Sequence, residues 1–142
     1  MKTWLIVFSL LLSAASHSAT LSNLSTRGYV GTGAENMHAG FVVAGTGKIQ
    51  VLIKGAGPSM EGVVPGFQKN PAITLHNAVN GAVIHSNDNW QDDPSAALVQ
   101  QTGKAPTDPK EAAFVLELGA GSYSVVQRST SGSAGIGLPS VT

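Results

Sequence analysis

Short runs in which apolar residues alternate with others, each closed by glycine, set the tightest limit on what this chain can fold into. The clearest run, 48–54, lies between Gly45-Thr-Gly47 and Gly55. In it Ile49, Val51 and Ile53 alternate with Gln50, Leu52 and Lys54, so one face is wholly apolar and the other mixed. A period of two is that of a strand with one face in a core. The pattern recurs. Phe41-Val-Val43 centres a strand over 38–44. Ala112, Phe114, Leu116 and Leu118 share one face of another, and beyond Gly119-Ala-Gly121 its partner carries Tyr123, Val125 and Gln127. Further strands are expected over 21–30, 71–75, 82–86 and 134–138, with Asn80-Gly81 as a hairpin signal. The stretch 55–66, with Pro58 and Pro65, reads as a crossing from one sheet to the other. One short helix is expected over 95–102, with Asp93 as N-cap, Pro94 in the first turn and Gly103 ending it. The fold class is therefore all-β: an antiparallel β-sandwich, jelly-roll or immunoglobulin-like, of about eight or nine short strands with one short helix.

The chain has 142 residues, which suits one domain over 20–142 behind an export signal over 1–19. Lys2, an apolar run over 4–12 and small residues up to Ala19 carry the signal reading. That run is shorter than the about 20 residues a membrane span needs. No transmembrane span is expected after signal removal, and the mature chain is expected outside the cell, at its surface or in the periplasm. Formal net charge is zero, 11% of residues are charged, and Lys and Arg are scattered singly, which excludes nucleic acid as a partner. The chain has no cysteine, which removes disulfides, thiol catalysis and thiolate zinc sites and leaves packing or a bound ion to stabilise it.

Chemistry concentrates in 86–93, which holds three of the four aspartates and Trp90. Short-armed oxygens in a compact loop suit calcium. Asp88 and Asp92 are the candidate carboxylate ligands, with Asn87 and Asn89 as neutral ones; the competing reading is a set of ordinary turns bonded to their own backbone. Trp90 either stacks on a glycan as an exposed platform or plugs the end of the core. His76 and His85 would face each other across a two-residue hairpin and offer a metal pair, whereas a longer, bulged loop breaks that pairing. Gly-x-Gly recurs without a βαβ setting, no Gly-x-Ser-x-Gly precedes a helix, and Glu35, Glu61, Glu111 and Glu117 lie far apart in sequence, so nothing proposes an active site.

Leu21-Ser-Asn-Leu-Ser-Thr-Arg27 with Gly31-Thr-Gly33, Gly40-Phe41, Val51-Leu-Ile-Lys54 leading to Gly57-Pro-Ser59, Asn87-Asp-Asn-Trp90, Pro106-Thr-Asp108 and Gly121-Ser-Tyr123 together resemble a repeat domain of secreted and surface proteins of environmental bacteria. The second half is similar to β-sandwiches of the pre-peptidase C-terminal type. The resemblance implies an extracellular β-sandwich with no established catalytic residues. Lys54 stands where that pattern usually has Arg, and the last strand reads as short. The expected function is thus a non-enzymatic module for attachment, matrix or assembly, stabilised by calcium; a carbohydrate-binding module using Trp90 and a small secreted hydrolase are the alternatives. The short last strand, with Pro139, is expected to leave a C-terminal sheet edge open to self-association or to a partner's strand.

Overall fold

The computed structural model describes residues 24–130, 132 and 134–142. The expected signal, the start of the first expected strand and two serines of the 131–133 turn lie outside these residues. The strands are β1 (Leu24–Ser25), β2 (Gly28–Val30), β3 (Met37–Val43), β4 (Ile49–Ala56), β5 (Pro71–Asn77), β6 (Val83–Asn87), β7 (Ala112–Leu118), β8 (Gly121–Ser129) and β9 (Gly135–Val141). A helix, α1 (Ala96–Gln101), lies between β6 and β7. One sheet runs β1–β9–β4–β7, with β2 also on β9; the other runs β3–β8–β5–β6, and every strand pair is antiparallel. This is the β-sandwich with one short helix that the alternating pattern predicts.

Phe41, Val51, Ile53, Ile73, Leu75, Phe114, Tyr123, Val125 and Val141 interlock between the sheets. A second cluster, Leu52, Trp90, Val99, Ala113 and Val115, fills the space between the outer face of β4–β7 and α1. It explains the mixed face of β4: Leu52 is buried beneath the helix while Gln50 is exposed. At one end of the core two fully buried amides meet, Gln127 Nε2 donating to Gln68 Oε1 at 2.8 Å and to the Ala56 carbonyl at 3.0 Å. Only glycine fits beside them, because a Cβ on Gly137 would lie 2.3 Å from Gln127 Nε2 and one on Gly57 2.0 Å from the Gln68 carbonyl oxygen.

One expectation is corrected. The last strand is not an edge: β9 continues to Val141 and lies between β4 and β1/β2. Leu52 and Thr142 exchange backbone hydrogen bonds, which directs the backbone of Ser140 towards β4 and that of Pro139 the other way, towards Thr26. The Thr26 N–H donates to the Pro139 carbonyl at 3.2 Å, but proline has no N–H to return. The register of β1 continues into β2, and the ladder breaks where that donor is missing. Pro139 is thus accommodated inside the sheet by interrupting its neighbour. At the hairpin the structure takes the longer, bulged alternative. Gly81 takes φ 72° as the turn signal implies, but the connection is the longer loop 78–82, and the register shifts between Leu75 and His76. His76 therefore pairs with Val83 and His85 with Leu75, and the two histidines do not face each other.

Candidate functional site

The polar loop is laid along the free edge of β7. Outward-pointing backbone groups of this strand recur at every second residue, and the loop meets three in succession. The Glu111 carbonyl accepts the Trp90 N–H at 3.0 Å, the Ala113 N–H donates to Asn87 Oδ1 at 3.1 Å, and the Val115 N–H donates to Ser95 Oγ at 2.9 Å. Asn87 Nδ2 also donates to the Asn89 carbonyl at 3.0 Å, tying the loop to itself. A 3-10 turn over Trp90–Asp92 then swings the indole inward. Trp90 is 6% exposed and packs on Leu52, Val99, Ala113 and Val115. Its N–H has no hydrogen-bond partner among the described residues, so packing holds the ring, and in this conformation the ring offers no face to a sugar.

Of the aspartates, Asp88 and Asp92 are exposed and Asp93 is buried. Asp93 precedes α1 by too much to be its N-cap; that position is Ser95, whose side chain makes no capping bond. Instead Asp93 Oδ1 accepts the N–H of Ser95 at 2.9 Å and its hydroxyl at 2.6 Å, while Oδ2 lies 2.6 Å from His85 Nε2. Burial pushes the Asp93 carboxyl up, but the bonds from Ser95 and His85 outweigh it and hold the group below its ordinary value. The His85 ring packs edge-on to Phe114 with centroids 4.5 Å apart. Asp, His and Ser are together here in the wrong order for nucleophilic catalysis: the carboxylate sits between histidine and hydroxyl, and Ser95 Oγ spends its proton on Asp93 and its lone pair on Val115.

The calcium candidates Asn87, Asp88, Asn89 and Asp92 all fall within 87–92. Asn87 is committed to Ala113 and Asn89, and among the described residues no three His, Asp or Glu side chains converge. Asp88 and Asp92 face solvent, and Asn89 is half-buried. Asp88 and Asn87 also line a shallow hollow of about 290 Å³ with Ser86, Arg128 and Thr130. A larger hollow, about 490 Å³, lies on the outer face of the β3–β8–β5 sheet, with His38, His76 and Ser124 among its lining.

Glu111 is the residue that sequence reasoning misses. It is 2% exposed, and Oε1 accepts the N–H groups of Gly57 at 3.0 Å and Ser59 at 2.6 Å. With its carbonyl on Trp90 and its N–H on the Asp108 carbonyl, it gathers Gly57-Pro-Ser59, Asn87-Asp-Asn-Trp90 and Pro106-Thr-Asp108 at one point. Nearby Lys54 donates to the Lys104 carbonyl at 3.2 Å. Burial lowers the Lys54 pKa, the Glu111 charge opposes this, and the Lys104 charge adds to it. The signal in the sequence is slight: an acidic residue between an Asp108 turn and a strand that opens on five apolar residues.

Loop, second core and Glu111 thus define a β-sandwich whose most polar segment is built into its framework. No family model and no curated protein matches the chain. Among solved structures, the fold is similar to the crystal structure of the pre-peptidase C-terminal domain of a collagenase from Bacillus anthracis, at 12% identity and a TM-score of 0.52, covering 84% of this chain and 89% of that one.

Proposed function

We propose that this chain is a non-enzymatic β-sandwich module exported from the cytoplasm, working in attachment, matrix or assembly. The observation that carries the reading is the fate of the loop's polar groups. Asn87, Asp93 and Ser95 are consumed in covering β7 and fixing the loop, and among the described residues no hydroxyl is hydrogen-bonded to His85 of the Asp93–His85 pair. The apolar run over 4–12 and the likeness to a pre-peptidase C-terminal domain support the extracellular setting. Calcium enters as an accessory: Asp88 and Asp92, with an oxygen of Asn89, supply a low-charge, exposed set suited to the weak class of sites, about 10⁻⁴–10⁻³ M.

Two measurements test this. A broad hydrolase screen is expected to show no turnover; turnover abolished by His85→Ala would overturn the non-enzymatic reading. The melting temperature is expected to rise in millimolar calcium and fall back with EDTA, Asp88→Ala removing the rise. The EDTA-treated protein stays folded, because the loop's own hydrogen bonds do not involve the ion. A melting curve indifferent to calcium removes the ion from the account.

A further inference from the structure

A two-sheet sandwich presents four lateral strand edges, and three of them are closed here by different means. The edge of β7 is covered by Asn87, Trp90 and Ser95. That of β6 is short and bulged against β5, and bulges twist an edge away from partners. That of β1/β2 is interrupted at Thr26 and Arg27 and carries the Arg27 charge. The remaining edge belongs to β3, whose sequence, Met37-His-Ala-Gly-Phe-Val-Val43, has no proline and no Lys, Arg, Asp or Glu. Its register with β8 runs unshifted from Met37↔Gln127 to Val43↔Gly121.

The direction of its free groups follows from the neighbouring ladder. The Ala78 N–H bonds the Ser122 carbonyl, so the even-numbered residues of β8 face β5 and its odd-numbered ones face β3. Met37, Ala39, Phe41 and Val43 then bond to β8, and the N–H and C=O groups of His38, Gly40 and Val42 point away from the sheet. Among the described residues none of these outward groups has a hydrogen-bond partner. The side chain of Val42 beside them is 63% exposed.

We propose that β3 pairs antiparallel with β3 of a second copy about a two-fold axis at Gly40, joining the two β3–β8–β5–β6 sheets into one. The edge is self-complementary. Pairing centred on Gly40 sets the two glycines opposite each other, His38 of each copy beside Val42 of the other, and matches every outward donor to an acceptor. Within five positions of β3 the charged residues are Glu35 before it and Lys48 after it; antiparallel pairing brings the acidic flank of each copy to the basic flank of the other. A formal net charge of zero adds no repulsion between copies. This contact uses the side of the sandwich away from the polar loop and stands whether or not the module has an attachment role.

Sedimentation equilibrium of the purified protein from micromolar to millimolar concentration is expected to show a reversible dimer. Val42→Lys, which puts a charge on an exposed edge position, is expected to abolish the dimer and leave the melting temperature of the monomer unchanged. Gly40→Cys, the sole cysteine in its chain, is expected to form a disulfide-linked dimer on mild oxidation, because directly opposed Cα atoms of a bonded antiparallel pair lie about 5.5 Å apart. The added Cβ would meet only the Tyr123 carbonyl oxygen, at 3.8 Å. His38→Cys, whose two copies are out of register, is not expected to cross-link. A protein monomeric throughout the range overturns the proposal, as does a dimer that survives Val42→Lys and leaves Gly40→Cys reduced. Binding of an added peptide to β3 of an otherwise monomeric protein would assign the edge to a foreign strand instead.

Discussion

Asp93 carries more of the loop than Asp88 or Asp92, although the three look alike in sequence. Its carboxylate takes both bonds from Ser95 and faces His85, the one titratable side chain in contact with it among the described residues. Asp93→Asn keeps one acceptor and loses the charge-assisted bonds, at a cost of about 1.5–3 kcal/mol near neutral pH. The folded-state pKa is depressed, so the stabilisation is fully present above the unfolded value of about 3.9 and is lost as pH falls through the lower folded value. Urea midpoints of the two proteins are therefore expected to differ at pH 7 and to draw together as pH is lowered below the unfolded value; a gap that does not narrow on acidification contradicts the role given to the charge. Which aspartate is buried was not legible in sequence, because composition marks where oxygens cluster and only the path of the chain over β7 decides which of them turn inward. Glu111 was hidden for a related reason: its partners, Gly57 and Ser59, are more than fifty residues away.

At the scale of elements, alternation made the central strands readable. Ile49, Val51, Ile53, Ala112, Phe114 and Leu118 face the inter-sheet core as their period of two requires. What alternation does not carry is the order of strands in a sheet, and the last strand shows the consequence: Pro139 looks like an edge residue until the break between β1 and β2 supplies the place for its missing donor. The loop's work as a cover for β7 is likewise a property of two distant segments. If Asn87 Oδ1 and Ser95 Oγ close that edge, replacing both with alanine leaves the Ala113 and Val115 N–H groups without their acceptors and opens a strand edge. Asn87→Ala/Ser95→Ala is expected to lose about 2–3 kcal/mol and to aggregate at concentrations where the parent stays clear; Asn87→Asp, which retains an oxygen for Ala113, is expected to resist aggregation. Light scattering during slow heating distinguishes these outcomes, and a soluble double variant would mean that the helix alone guards the edge.

For the whole molecule, two sides of the sandwich have opposite characters. One is sealed by a polar loop, a buried tryptophan and a helix; the other presents the outward backbone groups of β3, which have no hydrogen-bond partner among the described residues. The all-β class was legible from glycine-punctuated alternation, whereas the sealed side was not, since it needs the topology to set the loop against β7. Amide hydrogen exchange, followed residue by residue by NMR in dilute protein, tests the central claim that the loop is a structural cover and not a reactive site. Ala113 and Val115 are expected to exchange slowly, as interior strands do, while Gly40 and Val42 exchange freely until concentration brings β3 together with its copy. Exchange at Ala113 and Val115 as fast as at Gly40 would contradict the account, because the polar groups of Asn87 and Ser95 would then be free for some other purpose.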